Sequence, residues 1–260
     1  MAGIFQRGGV AGHAYNIPAE VCYNHTPSSN GILLFDANNC YSAQGSPAFV
    51  QSCSHDNGFE DVSSINCVFG SPLTNGNAVV CGLWWGSGDT LSNVTDGSNT
   101  YTINSATTTG NGSTINSAYT SNITGSRTTL TATFSAASNI VHLMACHEVS
   151  GIATTSPLDS ANASYQQNAP HGTNGITTSN VTTTADGDYI FGYMVDSNAQ
   201  GDPTSAGTGY TLRASQTGNG DTGRSEDQIQ TAAGPISATF SDTGTGFPDV
   251  LVMIMTFKAR

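Results

Sequence analysis

The chain of 260 residues is long enough to bury a sizeable core, although charged residues make up only 9% of it. Six Lys and Arg residues against eighteen Asp and Glu residues give a formal net charge of −12. Such a chain has no basic stripe for phosphates and offers a poor surface to anionic lipid, so we expect neither nucleic acid nor a membrane as a partner.

Residues 1–47 lie outside the repeated pattern of the rest of the chain. Short apolar clusters such as 32–35 alternate with turn signals, which predicts an arm or covering segment with one or two strands. Met1 is not followed by the basic region and apolar core of a secretory signal. We expect either release without such a signal, as when a host cell lyses around virions, or a chain that lacks its natural start.

Residues 48–151 carry the first set of predicted strands. The run 78–85 is almost continuously apolar, as in a strand that is buried on both faces. Segment 104–124 has almost no apolar residues, which predicts an exposed loop and an edge strand. Further strands are predicted at 48–51, 62–69, 100–103, 130–134 and 140–149.

Much of this pattern returns about a hundred residues later. Ala132 in Thr-Ala-Thr-Phe-Ser matches Ala238 in Ser-Ala-Thr-Phe-Ser (238 − 132 = 106), and Asn77 matches Asp188 (188 − 77 = 111). A repeat that keeps its order and spacing indicates one multi-strand unit used twice.

The second half, 176–260, follows a predicted connecting loop at 152–175. Its longest predicted loop is 214–233. About ten strands in total, with no helical period in any window, predict an all-β antiparallel sandwich. We expect a jelly-roll-like arrangement whose halves, 48–151 and 176–260, interleave around one core. Strands of the second half are predicted at 176–184, 189–195, 210–213, 236–240 and 250–258.

Six cysteines, an even number concentrated in the first third of the chain, indicate disulfides in an extracellular setting. Buried free thiols are the alternative. Pairing between sequence neighbours gives Cys22–Cys40, Cys53–Cys67 and Cys81–Cys146.

An ordered set of short motifs runs through residues 48–257. The motifs are Gly76-Asn77, Val79-Val80, Trp84 or Trp85, Val94-Thr95-Asp96, Asn99-Thr100-Tyr101-Thr102, Thr133-Phe134-Ser135, Glu148-Val149-Ser150-Gly151 and Pro157-Leu158-Asp159. Together they resemble a poorly characterised β-sandwich domain of secreted bacterial proteins and of phage tail or virion-surface proteins. The resemblance implies a surface-exposed, non-catalytic role and brings no catalytic residues with it.

Trp84 and Trp85 are the candidate binding residues. Adjacent residues of a strand face opposite ways, so one indole is expected in the core. The other can stack on a sugar or a neighbouring subunit, or lie under a loop.

Calcium is the metal ion that the sequence favours, because Asp and Asn oxygens cluster in Gly-containing loops. Asx turns are the alternative interpretation. Asn219 is a candidate ligand whose role is open. The clusters are Asp36/Asn38/Asn39, Asp56/Asn57/Glu60/Asp61, Asn219/Asp221/Glu226/Asp227 and Asp242/Asp249.

Residues of catalytic type do not form a recognisable set. His142 and His147 of the strand 140–149 point to opposite faces, so they cannot share a metal without a bulge. Glu148 is expected to accept hydrogen bonds from a turn. Glu226 and Asp227 also alternate in facing, and no G-x-S-x-G motif occurs. We therefore expect no enzyme activity.

These features predict a non-catalytic structural protein on an extracellular or virion surface. The expected forms are a phage virion component (head decoration or tail-associated) and an extracellular filament subunit. Its partners would be copies of itself or other virion and surface proteins. The alternative is a carbohydrate-binding or adhesion module for cell-surface glycans, which can depend on calcium. A polysaccharide-active enzyme would need two carboxylates about 5–10 Å apart across a cleft.

Overall fold

In a computed structural model, the chain forms two compact units, residues 1–44 and 45–260. In the first unit, β1 (Glu20–Cys22) pairs antiparallel with β2 (Cys40–Ser42) and Cys22 lies opposite Cys40. The rest of the predicted arm up to residue 44 lies outside the described residues. Those residues are 20–22, 40–42, 45–86, 88–138, 141–197, 204–218, 221–244 and 249–260.

The second unit is built from strands alone in its described residues. Its first half has β3 (Ala48–Asp56), β4 (Val62–Val68), β5 (Ala78–Gly86), β6 (Leu91–Thr95), β7 (Thr102–Ile103), β8 (Thr108–Gly110), β9 (Ser113–Thr120), β10 (Thr129–Ser138) and β11 (His142–Ser150). Its second half has β12 (Leu158–Gln166), β13 (Gly172–Thr177), β14 (Val181–Thr182), β15 (Asp188–Asp196), β16 (Thr204–Ala206), β17 (Thr211–Gly218), β18 (Asp221–Gln230), β19 (Pro235–Ile236), β20 (Thr239–Asp242) and β21 (Val250–Phe257).

No helix long and apolar enough to cross a membrane occurs among the residues that the structure describes.

The two halves have the same sheet topology. In the first half, a large sheet has the order β3-β11-β5-β9-β7, with β8 also paired to β9, and a small sheet has the order β4-β10-β6. In the second half, the large sheet has the order β12-β21-β15-β18-β17 and the small sheet β13-β20-β16, beside the pair β14-β19. The repeat in the sequence is therefore a repeat of a complete two-sheet sandwich.

The four main sheets stack as layers around three apolar clusters. One cluster fills the first sandwich, and another fills the second. The third lies between the two large sheets and takes side chains from both halves, such as Val80 and Trp84 from β5 and Phe191 and Tyr193 from β15. The large sheets are thus covered on both faces, which explains why β5, β11, β15 and β21 are buried along nearly their whole length.

The predicted all-β antiparallel sandwich class is confirmed, and so is the burial of segment 78–85 on both faces. The predicted interleaving of the halves around one core is wrong, because each sheet takes its strands from one half only. A continuous apolar run shows that a strand is covered on both faces. It does not say whether the second cover comes from the same sandwich or from another.

Two segments predicted as loops, 152–175 and 214–233, contain strands, and segment 104–124, predicted as an exposed loop and an edge strand, contains a strand inside a sheet. Segment 152–175 contains β12, the edge strand of the second large sheet. Segments 104–124 and 214–233 contain β9 and β18, which lie inside the large sheets. Their polar composition hid these strands from a search for apolar residues.

Candidate functional site

Both tryptophans of β5 are buried, with 3% of each residue exposed. They point in opposite directions, as predicted. Trp85 packs in the first sandwich and donates from Nε1 to the carbonyl of Asp89 at 2.9 Å. Trp84 packs between the two large sheets. Of the two alternatives for the second indole, stacking on a sugar or subunit and burial under a loop, the structure has burial, with the second sandwich rather than a loop as the cover.

His142 and His147 lie on opposite faces of β11, as the strand geometry predicts. The His142 ring lies in the first sandwich, 4.1 Å from the Phe134 ring, and its Nε2 is 3.3 Å from Asp89 Oδ2. His147 faces the cluster between the large sheets, where its ring packs edge-on to Phe191 at 4.7 Å. The two imidazoles do not share a site.

Glu148 forms a buried anchor for the turn at 72–77, which confirms its predicted role. Its Oε1 accepts from the Thr74 backbone N–H at 2.8 Å and from Asn77 Nδ2 at 2.7 Å. Its Oε2 accepts from Gln51 Nε2 at 2.6 Å. Three donors converge on one buried carboxylate, so the group holds the turn, β3 and β11 together.

A chain of polar side chains crosses the layer between the two large sheets. His147 Nε2 is 2.8 Å from Ser225 Oγ, and His147 Nδ1 is 2.9 Å from the Tyr189 hydroxyl. Tyr189 donates to Asp227 Oδ2 at 2.9 Å, and Arg213 Nε donates to Asp227 Oδ1 at 2.8 Å. The network joins β11 of the first half to β15, β17 and β18 of the second half.

The direction of these hydrogen bonds follows from the carboxylate at the end of the chain. Because the Tyr189 hydroxyl gives its only proton to Asp227, His147 Nδ1–H donates to the Tyr189 oxygen. His147 Nε2 then accepts from the Ser225 hydroxyl. The imidazole is neutral in this arrangement, and burial together with the nearby Arg213 charge lowers its pKa to about 3. Every member of the network is satisfied.

The same network contains the residue types of a serine hydrolase, but its geometry is closed. Ser225 and His147 are fully buried. The Ser225 hydroxyl lies between the sheets, out of reach of a substrate from solvent. Burial raises the pKa of Tyr189 well above its usual range, with the Asp227 charge adding to the effect. The arrangement is suited to holding the two sandwiches together rather than to transferring a proton to a ligand.

The network reaches solvent at a groove of about 500 Å³ beside the junction of the halves. Arg213 is its central charged group: the guanidinium carbon lies 4.0 Å from the centroid of the Phe49 ring, and about a quarter of the side chain is exposed. Burial raises the pKa of Asp227, and the hydrogen bonds from Arg213 and Tyr189 oppose that rise. The groove is lined by Pro47, Ala48, Phe49, Tyr189, Gly209, Thr211, Arg213, Asp227, Gln228 and Ile229.

Two other carboxylates, Asp56 of β3 and Asp196 of β15, influence Asp221 of β18. Burial raises the pKa of Asp221 to about 7, and the charges of Asp56 and Asp196 contribute. The ligand atoms of these three carboxylates do not all lie within 4.8 Å of one another, so they do not form a shared ion site. Asn219, the candidate ligand beside them, lies outside the described residues, as does the cluster of Asp36.

Other members of the predicted calcium clusters are engaged by the protein itself. Asp56 Oδ1 accepts from the Gly58 N–H at 2.8 Å, and Asp242 Oδ1 accepts from the Gly244 N–H at 2.8 Å, both as in Asx turns. Glu226 and Asp227 face opposite sides of β18, as predicted. Glu226 accepts from the Gly207 N–H at 2.9 Å, whereas Asp227 belongs to the network between the sheets. These contacts match the alternative of ordinary turns and buried hydrogen bonds.

Two predicted disulfides are present. Cys53–Cys67 joins the large and small sheets of the first sandwich, and Cys81–Cys146 joins neighbouring strands of its large sheet. The side chains of Cys22 and Cys40 lie outside the described residues. Disulfides of this kind indicate an oxidising, extracellular environment.

Comparison with known proteins adds no relative to this picture. No family model matches the chain, and no curated protein matches it.

Few features of the sequence indicate the network between the sheets. Ser225 and Asp227 fall in a segment predicted as a loop, and Tyr189 reads as one more apolar residue of a buried strand. The one available signal was the polar run Arg-Ser-Glu-Asp in β18. All four of its residues are buried, so both faces of the strand carry buried polar side chains. Such a run becomes recognisable as a strand only once partners for each polar group are known.

Proposed function

We propose that this chain is a non-catalytic structural protein of an external surface: a phage virion component, either a head decoration or a tail-associated protein, or a subunit of an extracellular filament. The observation that carries the proposal is the four-layer stack, in which two copies of one sandwich are fixed face to face by an apolar cluster and a closed polar network.

The side chains most able to do chemistry are used inside the block. His147 and Ser225 bond across the two halves, and Glu148 holds a turn. The two disulfides add covalent links within the first sandwich. This use of reactive groups favours a load-bearing role on a surface over turnover of a substrate.

Contacts with other copies are available at the edges of the large sheets. β12 is a nine-residue edge strand that pairs with β21 on one side only among the described strands. A strand with one unpaired edge can accept another chain by main-chain hydrogen bonds. Copies of the chain, or other virion or surface proteins, are the partners that this geometry favours.

The test is the mass of the native chain in solution, measured by light scattering over a range of concentrations and followed by electron microscopy of any large species. Defined oligomers or filaments support the proposal. Dissociation on addition of a chelator would show that a cation takes part in the assembly. A monomer at every concentration contradicts the structural role.

A second candidate function, binding of surface glycans, is favoured by the groove around Arg213. Its planar guanidinium and the amide of Gln228 can hydrogen-bond sugar hydroxyls. Arg213→Gln should abolish binding on a glycan array, whereas Arg127→Gln, which removes another Arg outside the groove, should leave it intact. Thermal unfolding of both variants separates loss of binding from loss of fold. Equal binding by the two variants, or no binding by the native chain, would reject this function.

A further inference from the structure

Four cysteine sulfurs converge in the core of the first sandwich. Cys53 of β3 lies directly opposite Cys146 of β11, and Cys146 lies directly opposite Cys81 of β5. Three cysteines thus form one row across the large sheet, on the face that points into the sandwich. Cys67 of the small sheet approaches the same row from the other side and is bonded to Cys53.

The sulfurs are close enough to share one ion. The Sγ atoms of Cys53, Cys67 and Cys146 all lie within 4.8 Å of one another, and Cys81 is bonded to Cys146. Four thiolates around one zinc ion at Zn–S distances of about 2.3 Å have their sulfurs about 3.8 Å apart. Among the described His, Cys, Asp and Glu side chains, these three cysteines form the group whose ligand atoms all lie within 4.8 Å of one another.

The backbone keeps this arrangement independently of the sulfur–sulfur bonds. The row of three is set by the ladders of β3, β11 and β5, which pair along most of their length. Cys67 is held by the pairing of β4 with β10, and at Cys67 this places Leu130 directly opposite. Breaking both disulfides therefore leaves three thiols grouped in an apolar cluster, with the Cys81 thiol on the strand beside Cys146.

We propose that the reduced chain binds one Zn²⁺ ion through Cys53, Cys67 and Cys146, with Cys81 as the fourth thiolate. In the oxidised chain, as in this structure, these four cysteines are disulfide-bonded and offer no thiolate. The same four residues then give either two disulfides or one metal site, and the redox state decides which. Thiolate sulfur suits Zn²⁺ and disfavours Ca²⁺ and Mg²⁺, which take oxygen ligands.

The conversion balances with a phosphine as reductant. Each disulfide gains two electrons and two protons and becomes two thiols, while the phosphine takes up the oxygen of one water molecule and becomes a phosphine oxide. Zn²⁺ then replaces the proton of each coordinating thiol, so binding of the ion releases protons and weakens as the pH falls.

The experiment is metal titration of the full chain in a phosphine reductant. Co²⁺ is the spectroscopic probe, because a sulfur-to-cobalt charge-transfer band reports thiolate ligands. Zn²⁺ is counted by elemental analysis after gel filtration. We expect one metal ion per reduced chain and none per oxidised chain. Zn²⁺ should also raise the unfolding temperature of the reduced chain and leave that of the oxidised chain unchanged.

Variants assign the ligands. Cys67→Ser and Cys146→Ser should each lose the charge-transfer band, and Cys81→Ser should weaken binding. The matched control is the double variant Cys22→Ser/Cys40→Ser, which should bind as the native chain does. If the reduced chain unfolds, Zn²⁺ should restore its β-sheet circular dichroism. Absence of metal from the reduced chain, failure of Zn²⁺ to restore the fold, or a band that survives Cys67→Ser would overturn the proposal.

Discussion

The ring of Tyr193 on β15 occupies the space that a β-carbon on Gly82 of β5 would fill. The two residues come from different halves of the chain and meet in the layer between the large sheets. The absence of a side chain at Gly82 is therefore what lets a phenol ring from the second sandwich lie flush against the first.

Gly82→Ala tests this close approach. The added methyl group has to displace a fully buried ring, and overpacking of this kind typically costs about 1–3 kcal/mol of unfolding free energy. Gly70→Ala is the control, because nothing lies within 4 Å of the methyl group at that position. Chemical denaturation of both variants checks the prediction. Equal stability of the two variants would show that the layer tolerates extra volume.

Removal of the Glu148 side chain should destabilise the first sandwich. Glu148→Ala removes the shared acceptor of three part-buried donors, from Thr74, Asn77 and Gln51, and a hydrogen bond to a charged group contributes about 1.5–3 kcal/mol. We expect a loss of at least about 2 kcal/mol in urea denaturation. Glu60→Ala, at an exposed position, should stay within about 0.5 kcal/mol of the native chain. Similar losses in both variants would contradict the anchoring role.

Glu226 should make the protein less stable as the pH rises toward 8. Burial raises the pKa of Glu226 to about 8, although hydrogen bonds from the Gly207 and Thr239 backbone N–H groups oppose the shift. Between pH 4.5 and 8 the folded chain keeps a proton that the unfolded chain loses. The contribution of this group is therefore complete below pH 4.5 and declines by up to about 1.4 kcal/mol per pH unit in that window.

The difference in unfolding free energy between the native chain and Glu226→Gln isolates this effect. It should shift in favour of the variant as the pH rises from 4.5 to 8. A difference that stays constant over this range would mean that Glu226 is ionised in the folded protein at neutral pH.

His147 should act in the opposite direction at acid pH. Its pKa is about 3 in the folded chain because of burial, against 6.5 for an ordinary histidine. Its contribution to stability is complete above pH 6.5 and is lost as the pH falls toward 3, because the unfolded chain takes up the proton first. The advantage of the native chain over His147→Gln should shrink over that range. His55→Gln is the matched control for loss of a histidine side chain. An equal acid loss in native chain and His147→Gln would refute the assignment.

The fold could be predicted from the sequence where apolar residues carry it. The runs 78–85 and 250–258 have too many apolar residues for a strand with one solvent-exposed face, so the sequence indicates that they are buried. The repeat of Ala132 at Ala238 likewise revealed the duplicated unit. The stacking of two separate sandwiches could not be predicted. Burial of both strand faces is equally compatible with two halves interleaved around one core.

The site could not be predicted because its residues are polar and come from distant strands. Ser225 and Asp227 sit in a strand whose composition resembles a loop, and their burial is stable only because His147, Tyr189 and Arg213 supply partners. The cover over Trp84 could not be predicted either. The apolar run 78–85 predicts burial on both faces, but no local pattern around β5 identifies a second sandwich as the cover.

Static light scattering of the native, oxidised chain over a wide concentration range tests the central claim most directly. A structural protein of an external surface should form a defined oligomer or a filament that persists on dilution to micromolar concentrations. Repeating the measurement with a chelator shows whether a cation takes part. A mass of 26.7 kDa at every concentration, with and without chelator, would contradict the proposed role.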